Sequence, residues 1–480
     1  MNKIQFGTDG WRGIIAYDFT IDNVKKVSQA VANYLKKQKN PSVMIGYDMR
    51  FMAEEFAQAC AGVMSANNIK VYLSDQPLAT PSVAVNALSK KCTGAIMFTA
   101  SHNPAKFLGF KYMTGSGATA PSKVTDQFQK NIDKIKSQKD IRTLDFDKAV
   151  QDKRIIYINP NPAYKKALSK LVDINKIKST GLKILFNPMY GSGQQYLDGF
   201  LSGKKTKVDV INSVKDPLFG GIHPEPIVKE NILDQIKMMK KGKYDIGIAF
   251  DGDADRIGLI DEKGNFISSL DAFLLSAYYF WHVLGDKRPI VRTRSNTVTV
   301  DHLAKKLGRK SYEVQVGFKY CAEKMQDVKA VLAGEESGGS GFASHLPVRD
   351  AMAYALYILD LLVKTKKPIS NLLKDAKKLA GGGYEFARID IKMPYDGYFN
   401  MKEKASKNLA KNPPKKIAGF NVVKSDAEDG VKFWFADNSW LLIRFSGTEP
   451  KLRTYAEAKT KKAVDKLLAY APKIIKQANK

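Results

Sequence analysis

The chain has 480 residues, too long for one ordinary hydrophobic core, and the usual domain size predicts about three or four domains. Its 44% hydrophobic and 26% charged residues exclude wholesale disorder, and 77 Lys and Arg against 48 Asp and Glu give a net charge of +29. That charge attracts any anion, whether nucleic acid, membrane or phosphorylated metabolite, but the lysines are spread over amphipathic segments such as 23–39 and 459–480, as solvated helix faces require.

The three cysteines, Cys60, Cys92 and Cys321, lie far apart without CxxC or zinc-ligand spacing, which predicts free thiols and a reducing, cytoplasmic compartment. The longest apolar stretch, 272–281, is far short of a membrane span, so neither signal peptide nor membrane anchor is expected.

Strand-like apolar runs alternate with amphipathic helical segments, the pattern of α/β layers with helices on both sides of a sheet. Strands are predicted at 43–47, 71–73 and 94–98, with helices at 22–37 and 53–66. After a lysine-rich stretch, 134–153, come strand 183–186, helix 194–201, strand 208–211, helix 230–240 and strand 245–250. A third alternation runs through helix 271–283, strand 290–293, helix 298–307, strand 330–333 and helix 351–363. The linker 364–367 and the glycine run 381–383 introduce a smaller α+β domain with strands at 441–445 and 453–458 and a C-terminal helix. The expected domains are 1–150, 151–262, 263–372 and 373–480.

In each of the first three units a short buried strand stops at a polar loop of small residues: GAIMFTASHNP from Gly94, DIGIAFDGDAD from Asp245 and AVLAGEESGG from Ala330. Ligands of open α/β sheets bind beyond the carboxyl ends of strands, so these loops are the expected seats of chemistry. The common plan suggests triplication.

Asp251, Asp253 and Asp255 alternate with small residues and concentrate negative charge that a hard divalent cation would relieve. An EF-hand would place Glu262 at its twelfth position, but its sixth requires Gly and holds Arg256, and 257–260 reads as a restarting strand. A solvated acidic turn is the other alternative. Ser101, in Thr99-Ala-Ser-His-Asn-Pro, taken alone reads as a turn or cap residue. No GxSxG elbow and no GxxxxGK[ST] loop is present, which argues against a serine hydrolase and a P-loop kinase. Arg444, Ser446, Gly447 and Thr448 combine a guanidinium, two hydroxyls and a flexible turn, the parts of a phosphate cradle or of an ordinary hairpin. Gly7 to Gly13 is a second glycine-rich segment with a cation, Arg12.

Taken in order, FGTDGWRG, TASHNP, DGDADR, GEESGG and RFSGTEP, spanning residues 6–450, resemble the motif series of the α-D-phosphohexomutases, the phosphoglucomutase and phosphomannomutase superfamily. The resemblance implies four domains around a central cleft: three similar α/β domains with mixed sheets and a smaller α+β domain that binds phosphate. It implies a phosphoserine at Ser101, whose phosphate completes a Mg²⁺ shell with Asp251, Asp253 and Asp255. Arg256, Arg12 and His102 would contact the phosphoserine region, and Lys111 would act as general acid or base with a lowered pKa. Glu335 and Ser337 would hold sugar hydroxyls; Lys319, in VGFKY, matches a substrate-contacting position or is a surface lysine; Arg444, Ser446, Gly447 and Thr448 would clamp the phosphate that is not transferred.

The implied reaction interconverts hexose 1-phosphate and hexose 6-phosphate through a hexose 1,6-bisphosphate, by positioning and charge neutralisation. Glucose is the leading hexose, with mannose as an additional pair; phosphomannomutase and phosphoglucosamine mutase are the runners-up. The sequence departs from the family at Leu108-Gly109, where many members have Asn-Gly, and at Gly339, where many bifunctional or amino-sugar members have His. A sugar-phosphate-binding protein without turnover is the non-enzyme alternative. Nucleic-acid binding rests on charge alone, lacking aromatic-basic interleaving, and is not expected; a monomer or homodimer is.

Overall fold

The computed structural model describes residues 4–7, 10–203, 205–393, 398–445 and 450–479. In the first sheet, six strands lie in the order Trp11–Ile14, Phe107–Thr114, Gly94–Phe98, Ser42–Tyr47, Lys70–Ser74 and Ile155–Ile158. The last four run parallel, while Phe107–Thr114 pairs antiparallel with Gly94–Phe98. Side chains alternate across a strand, and both faces here are covered. Val43, Ile45, Ile96 and Phe98 join one core with Val27, Val31 and Phe56 of the helices Ile21–Leu35 and Ala53–Ala66. Met44, Ala95 and Met97 face the opposite core with Val83, Ala84 and Ala87 of helix Thr80–Ser89. Burial on both faces explains why these strands read as continuous apolar runs.

The second sheet is ordered Phe266–Ile267, Ile257–Ile260, Ile246–Phe250, Lys183–Asn187 and Lys207–Val210. The third is ordered Ser340–Phe342, Leu332–Gly334, Ile290–Thr293 and Ser311–Val314. All three sheets share one plan. In each, the strand that ends at a polar loop turns back antiparallel: Gly94–Phe98 into Phe107–Thr114, Ile246–Phe250 into Ile257–Ile260, and Leu332–Gly334 into Ser340–Phe342. The expected triplicate architecture is present, and the polar loops are hairpin turns at equivalent places.

The fourth sheet is antiparallel, with six strands ordered Glu385–Lys392, Lys451–Ala458, Trp440–Phe445, Val431–Phe435, Phe420–Asp426 and Lys416–Ile417. Leu467, Leu468, Ile474 and Ile475 of helix Lys461–Ala478 and Ala405 and Leu409 of helix Tyr398–Lys411 share its core. Among the described residues no helix is long and apolar enough to cross a membrane.

The chain forms two compact units, residues 1–291 with 318–373, and residues 292–317 with 374–480. In the second unit the buried Lys432 ammonium donates to Arg294 O at 2.6 Å and Glu313 Oε2 at 2.8 Å. Arg294 pairs with Asp426, and Glu457 and Asp429 accept the backbone N–H groups of Val298 and Val316. Segment 292–317 is thus held by buried ionic and amide bonds.

Several element boundaries differ from the sequence reading. Helix 194–201 narrows to Leu197–Leu201, and 230–240 begins as a 3₁₀ turn, Lys229–Ile232, before helix Leu233–Lys241. Helix Thr80–Ser89 and strand Phe107–Thr114 went unpredicted. The first starts with Pro81 at its amino end, an ordinary start signal. In the second, Gly109 disguises a strand. A Cβ there would lie 2.5 Å from Thr99 O, so close passage of two backbones requires glycine.

Candidate active site

Ser101 occupies the turn between Gly94–Phe98 and Phe107–Thr114 and is fully buried. Its φ of 53° lies in the left-handed region, uncommon for a residue with a side chain. Thr99 Oγ1 accepts the Ser101 N–H at 2.8 Å, and the serine hydroxyl donates to Asp251 Oδ2 at 2.8 Å. This last bond joins the first sheet's turn to the second sheet's.

The two turns meet closely at Gly252. A Cβ there would stand 2.5 Å from Ser101 O, a backbone atom that cannot swing away. Gly252→Ala is therefore expected to push the turns apart, lowering the thermal midpoint by several degrees (about 1–3 kcal/mol of overpacking) and reducing activity more than stability. Thermal unfolding and steady-state rates measured together check this; a variant with unchanged midpoint and rate would show that the turns yield freely.

Asp251, Asp253 and Asp255 sit in the turn between Ile246–Phe250 and Ile257–Ile260, and one oxygen from each lies within 4.8 Å of the others. Asp251 Oδ1 accepts the N–H groups of Asp255 and Arg256 at 2.9 and 3.0 Å, which shapes the turn. Asp253 Oδ2 accepts from Thr80 Oγ1 at 2.6 Å and Lys111 Nζ at 2.9 Å. Asp255 Oδ2 takes Lys111 at 3.3 Å and Arg349 at 2.8 and 3.1 Å. Those bonds leave Asp253 Oδ1 and Asp255 Oδ1 buried without a hydrogen-bond donor among the described residues. Burial, reinforced by Asp253 and Asp255, pushes the Asp251 carboxyl well above its ordinary range. Burial opposes ionisation of Asp255 too, but Arg349, Lys111 and Arg256 hold it below that range. Crowded carboxylates with two idle hard oxygens fit a divalent cation such as Mg²⁺ or Ca²⁺.

Further basic side chains of the first unit lie around the serine turn and this cluster. Arg12, on strand Trp11–Ile14, donates from Nη1 to Asn103 Oδ1 at 2.9 Å. His102 places Nδ1 3.4 Å from Ser101 Oγ; burial, with Arg256 and Arg12 nearby, lowers its pKa well below the usual imidazole value and keeps it neutral. Arg256 lies 3.7 Å from Glu225 and 3.8 Å from Asp255, and its buried Nε makes no hydrogen bond among the described residues. An arginine with an idle donor at the edge of the acidic cluster is equipped to receive phosphate oxygens.

Glu335 and Ser337 occupy the third sheet's turn. Burial raises the Glu335 pKa although Arg349 Nη1 lies 2.9 Å from its carboxylate, and Ser337 Oγ is buried without a partner among the described residues. Lys319, at the start of helix Phe318–Asp327, is buried rather than on the surface, with Nζ donating to Ser122 Oγ at 2.7 Å. None of its described bonds reaches the acidic cluster. Arg444 belongs to the other compact unit, where Nη2 lies 3.0 Å from Asp429. Ser446, Gly447 and Thr448 lie outside the described residues.

Three residues of this site were not singled out from the sequence. Thr80 and Arg349 orient Asp253 and Asp255 by the bonds above, and Arg50 grips the serine turn. Arg349 also explains Gly339, because a Cβ there would stand 2.2 Å from Arg349 Cδ. The legible signals were faint: an Asp-x-Arg after a strand, a Thr-Pro helix start, and an Arg beside the helix-capping Asp350.

Models of the four phosphoglucomutase/phosphomannomutase domains match the chain in order: alpha/beta/alpha domain I over residues 3–139, II over 162–264, III over 271–379 and the C-terminal domain over 401–471. The chain is 28% identical to a phosphoglucomutase/phosphomannomutase of Thermococcus kodakarensis, covering 100% of both. It is 28% identical to a phosphoglucosamine/phosphogalactosamine mutase of Sulfurisphaera tokodaii, covering 99% of each. Among solved structures it resembles that of a candidate phosphomannomutase from Thermus thermophilus, with a TM-score of 0.84 and 27% identity over 98% of this chain and 99% of that one. With all four domains matched over an architecture of three α/β sheets and one antiparallel sheet, the chain belongs to the phosphoglucomutase/phosphomannomutase family of the α-D-phosphohexomutase superfamily, a family of isomerases.

Proposed function

We propose that the protein interconverts hexose 1-phosphates and hexose 6-phosphates by carrying a phosphoryl group on Ser101. The observation that carries this reading is the Ser101 hydroxyl, buried 2.8 Å from Asp251 Oδ2 at the edge of a three-carboxylate cluster. Phosphoserine would donate its phosphoryl group to the free hydroxyl of the substrate. As the Oγ–P bond breaks, the substrate hydroxyl would give its proton to a base, Lys111 or His102, and the leaving serine oxygen would take up a proton; the phosphoserine is regenerated when the bisphosphate returns its other phosphoryl group to Ser101 and the proton passes back.

Phosphorylation removes the hydrogen that Ser101 now gives Asp251, freeing Oδ2 beside the idle oxygens of Asp253 and Asp255. The three aspartates would then hold Mg²⁺, which when bound neutralises charge on the transferring phosphoryl group. A phosphoserine dianion and a divalent cation arriving together leave the net charge of the pocket unchanged. Arg256, Arg12 and His102 would steady the phosphoryl oxygens. Glu335 and the unpartnered Ser337 hydroxyl would hold the sugar, and Lys319 would approach substrate only by leaving Ser122. Arg444, with Ser446, Gly447 and Thr448, would hold the second phosphate. Three buried free cysteines suit a cytoplasmic location.

Glucose is the hexose we favour, with mannose second; Gly339 and the Arg349 side chain that fills its space distinguish this sugar loop from one ending in histidine. Coupled assays with glucose, mannose and glucosamine 1-phosphates, supplemented with Mg²⁺ and a trace of hexose 1,6-bisphosphate, are expected to give the highest kcat/KM for glucose. Equal or greater efficiency with glucosamine 1-phosphate would reassign the hexose. Activity no higher than that of Ser101→Ala on all three would sink the mutase reading and favour a binding protein.

A further inference from the structure

One buried guanidinium holds the whole serine turn. Arg50 follows strand Ser42–Tyr47, is 3% exposed, and uses each of its five N–H donors. Nε donates to Asp48 Oδ2 at 3.1 Å. Nη1 donates to the carbonyl oxygens of Pro104 and Phe107 at 2.9 and 3.0 Å. Nη2 donates to those of Ser101 and Asn103 at 2.6 and 2.7 Å. Asp48 is itself fixed, because its N–H donates to Phe98 O at 3.0 Å and its carboxylate accepts the Arg50 N–H at 3.0 Å. The Phe219 ring, from the second sheet's domain, lies 4.8 Å from the guanidinium carbon.

Four carbonyl dipoles of one short turn pointing inward at one place would repel one another without a cation at their focus. A turn could be anchored there for stability alone. Two details argue for more. The shortest of the five bonds goes to the carbonyl of Ser101 itself, and Ser101 is the residue of the turn with backbone in the left-handed region. The guanidinium therefore bears on the peptide that aims the serine oxygen at Asp251, without touching that oxygen.

We propose that Arg50, oriented by Asp48, is a positioning residue for phosphoryl transfer: it locks the 101–107 turn so that Ser101 Oγ stays aligned with the aspartate cluster as its bond to phosphorus forms and breaks. The proposal rests on the reading of Ser101 as the phosphoryl carrier. Lysine cannot replace this arginine. A single ammonium offers three donors from one atom and cannot span four carbonyls and a carboxylate.

The test uses full-length wild type, Arg50→Lys and the milder Asp48→Asn, all with Mg²⁺. Hydrogen exchange reads the clamp, and kcat, KM and intact mass after treatment with hexose 1,6-bisphosphate read its effect. In Arg50→Lys, peptides covering 99–108 are expected to lose protection while those covering 53–66 and 80–89 keep it. At the same time kcat falls by about 100-fold or more and KM moves by less than about threefold, because substrate contacts lie elsewhere. Asp48→Asn, which keeps the arginine, is expected to shift both readouts in the same direction by less. Unchanged protection of 99–108 in Arg50→Lys overturns the clamp whatever the activity. Lost protection with kcat within about threefold of wild type, after correction for folded fraction, overturns the positioning role. Failure of wild type itself to take a phosphoryl group on Ser101 overturns the carrier reading, and the proposal with it, for a reason the exchange data separate.

Discussion

Replacing Ser101 with alanine is expected to abolish interconversion, by about 10⁴-fold or more, while the protein folds normally and lacks the single covalent phosphoryl group that intact mass is expected to show on wild type. The magnitude follows from the serine's proposed role as the group that forms and breaks the bond to phosphorus; of the neighbouring hydroxyls described above, Thr80 donates to Asp253 and Thr99 accepts the Ser101 N–H. Stability should change little. Alanine removes one hydrogen bond to Asp251, whose Oδ1 still holds the turn through the N–H groups of Asp255 and Arg256. A variant that keeps more than about 1% of wild-type turnover would end the phosphoserine mechanism, since bond-making groups do not leave such residues of activity.

Stripping divalent ions with a chelator is expected to lower the rate by roughly 10³-fold and to restore it on adding Mg²⁺, with the fold intact throughout. The protein should survive because internal cations already compensate the cluster: Lys111 pairs with Asp253 and Asp255, and Arg349 with Asp255. Asp253→Asn should imitate the chelator. It keeps an oxygen for Thr80 and Lys111 but cannot contribute a charged ligand through the oxygen that now has no donor. Titration calorimetry with Mg²⁺ alone provides a second readout, in which the variant binds at least about tenfold more weakly. Chelator-resistant turnover would remove the metal from the mechanism.

The α/β alternation, the three strand-end loops and the acidic cluster were legible in the sequence because each rests on local pattern: buried runs bounded by small polar residues, and carboxylates two apart. Ser101 became legible only in company. The parts that escaped act at a distance in sequence. Arg50 finds its carbonyls more than fifty residues away, Thr80 meets Asp253 across 173 positions and Arg349 meets Asp255 across 94. No periodicity announces such pairings, since they depend on which turns the packed sheets bring together. Lys111 lies against Asp253 and Asp255, but its strand went unpredicted because Gly109 breaks the strand pattern for a steric reason visible only in three dimensions. The cradle residues 446–448 lie outside the described residues, so Arg444 stands with Asp429 as the described part of that motif.

The strand order common to the first three sheets bears on how such a site can change over generations. Each hairpin turn hangs from the same pair of strands in its own sheet, so the turns are separate mounts on a repeated chassis. On the proposed reading, changes in residues 335–339 would alter the hexose accepted while 99–106 and 251–256 supply the transfer chemistry, with Arg349 as the tie between Glu335 and Asp255 that such changes must respect. A new sugar preference would then come from a new turn on the same framework.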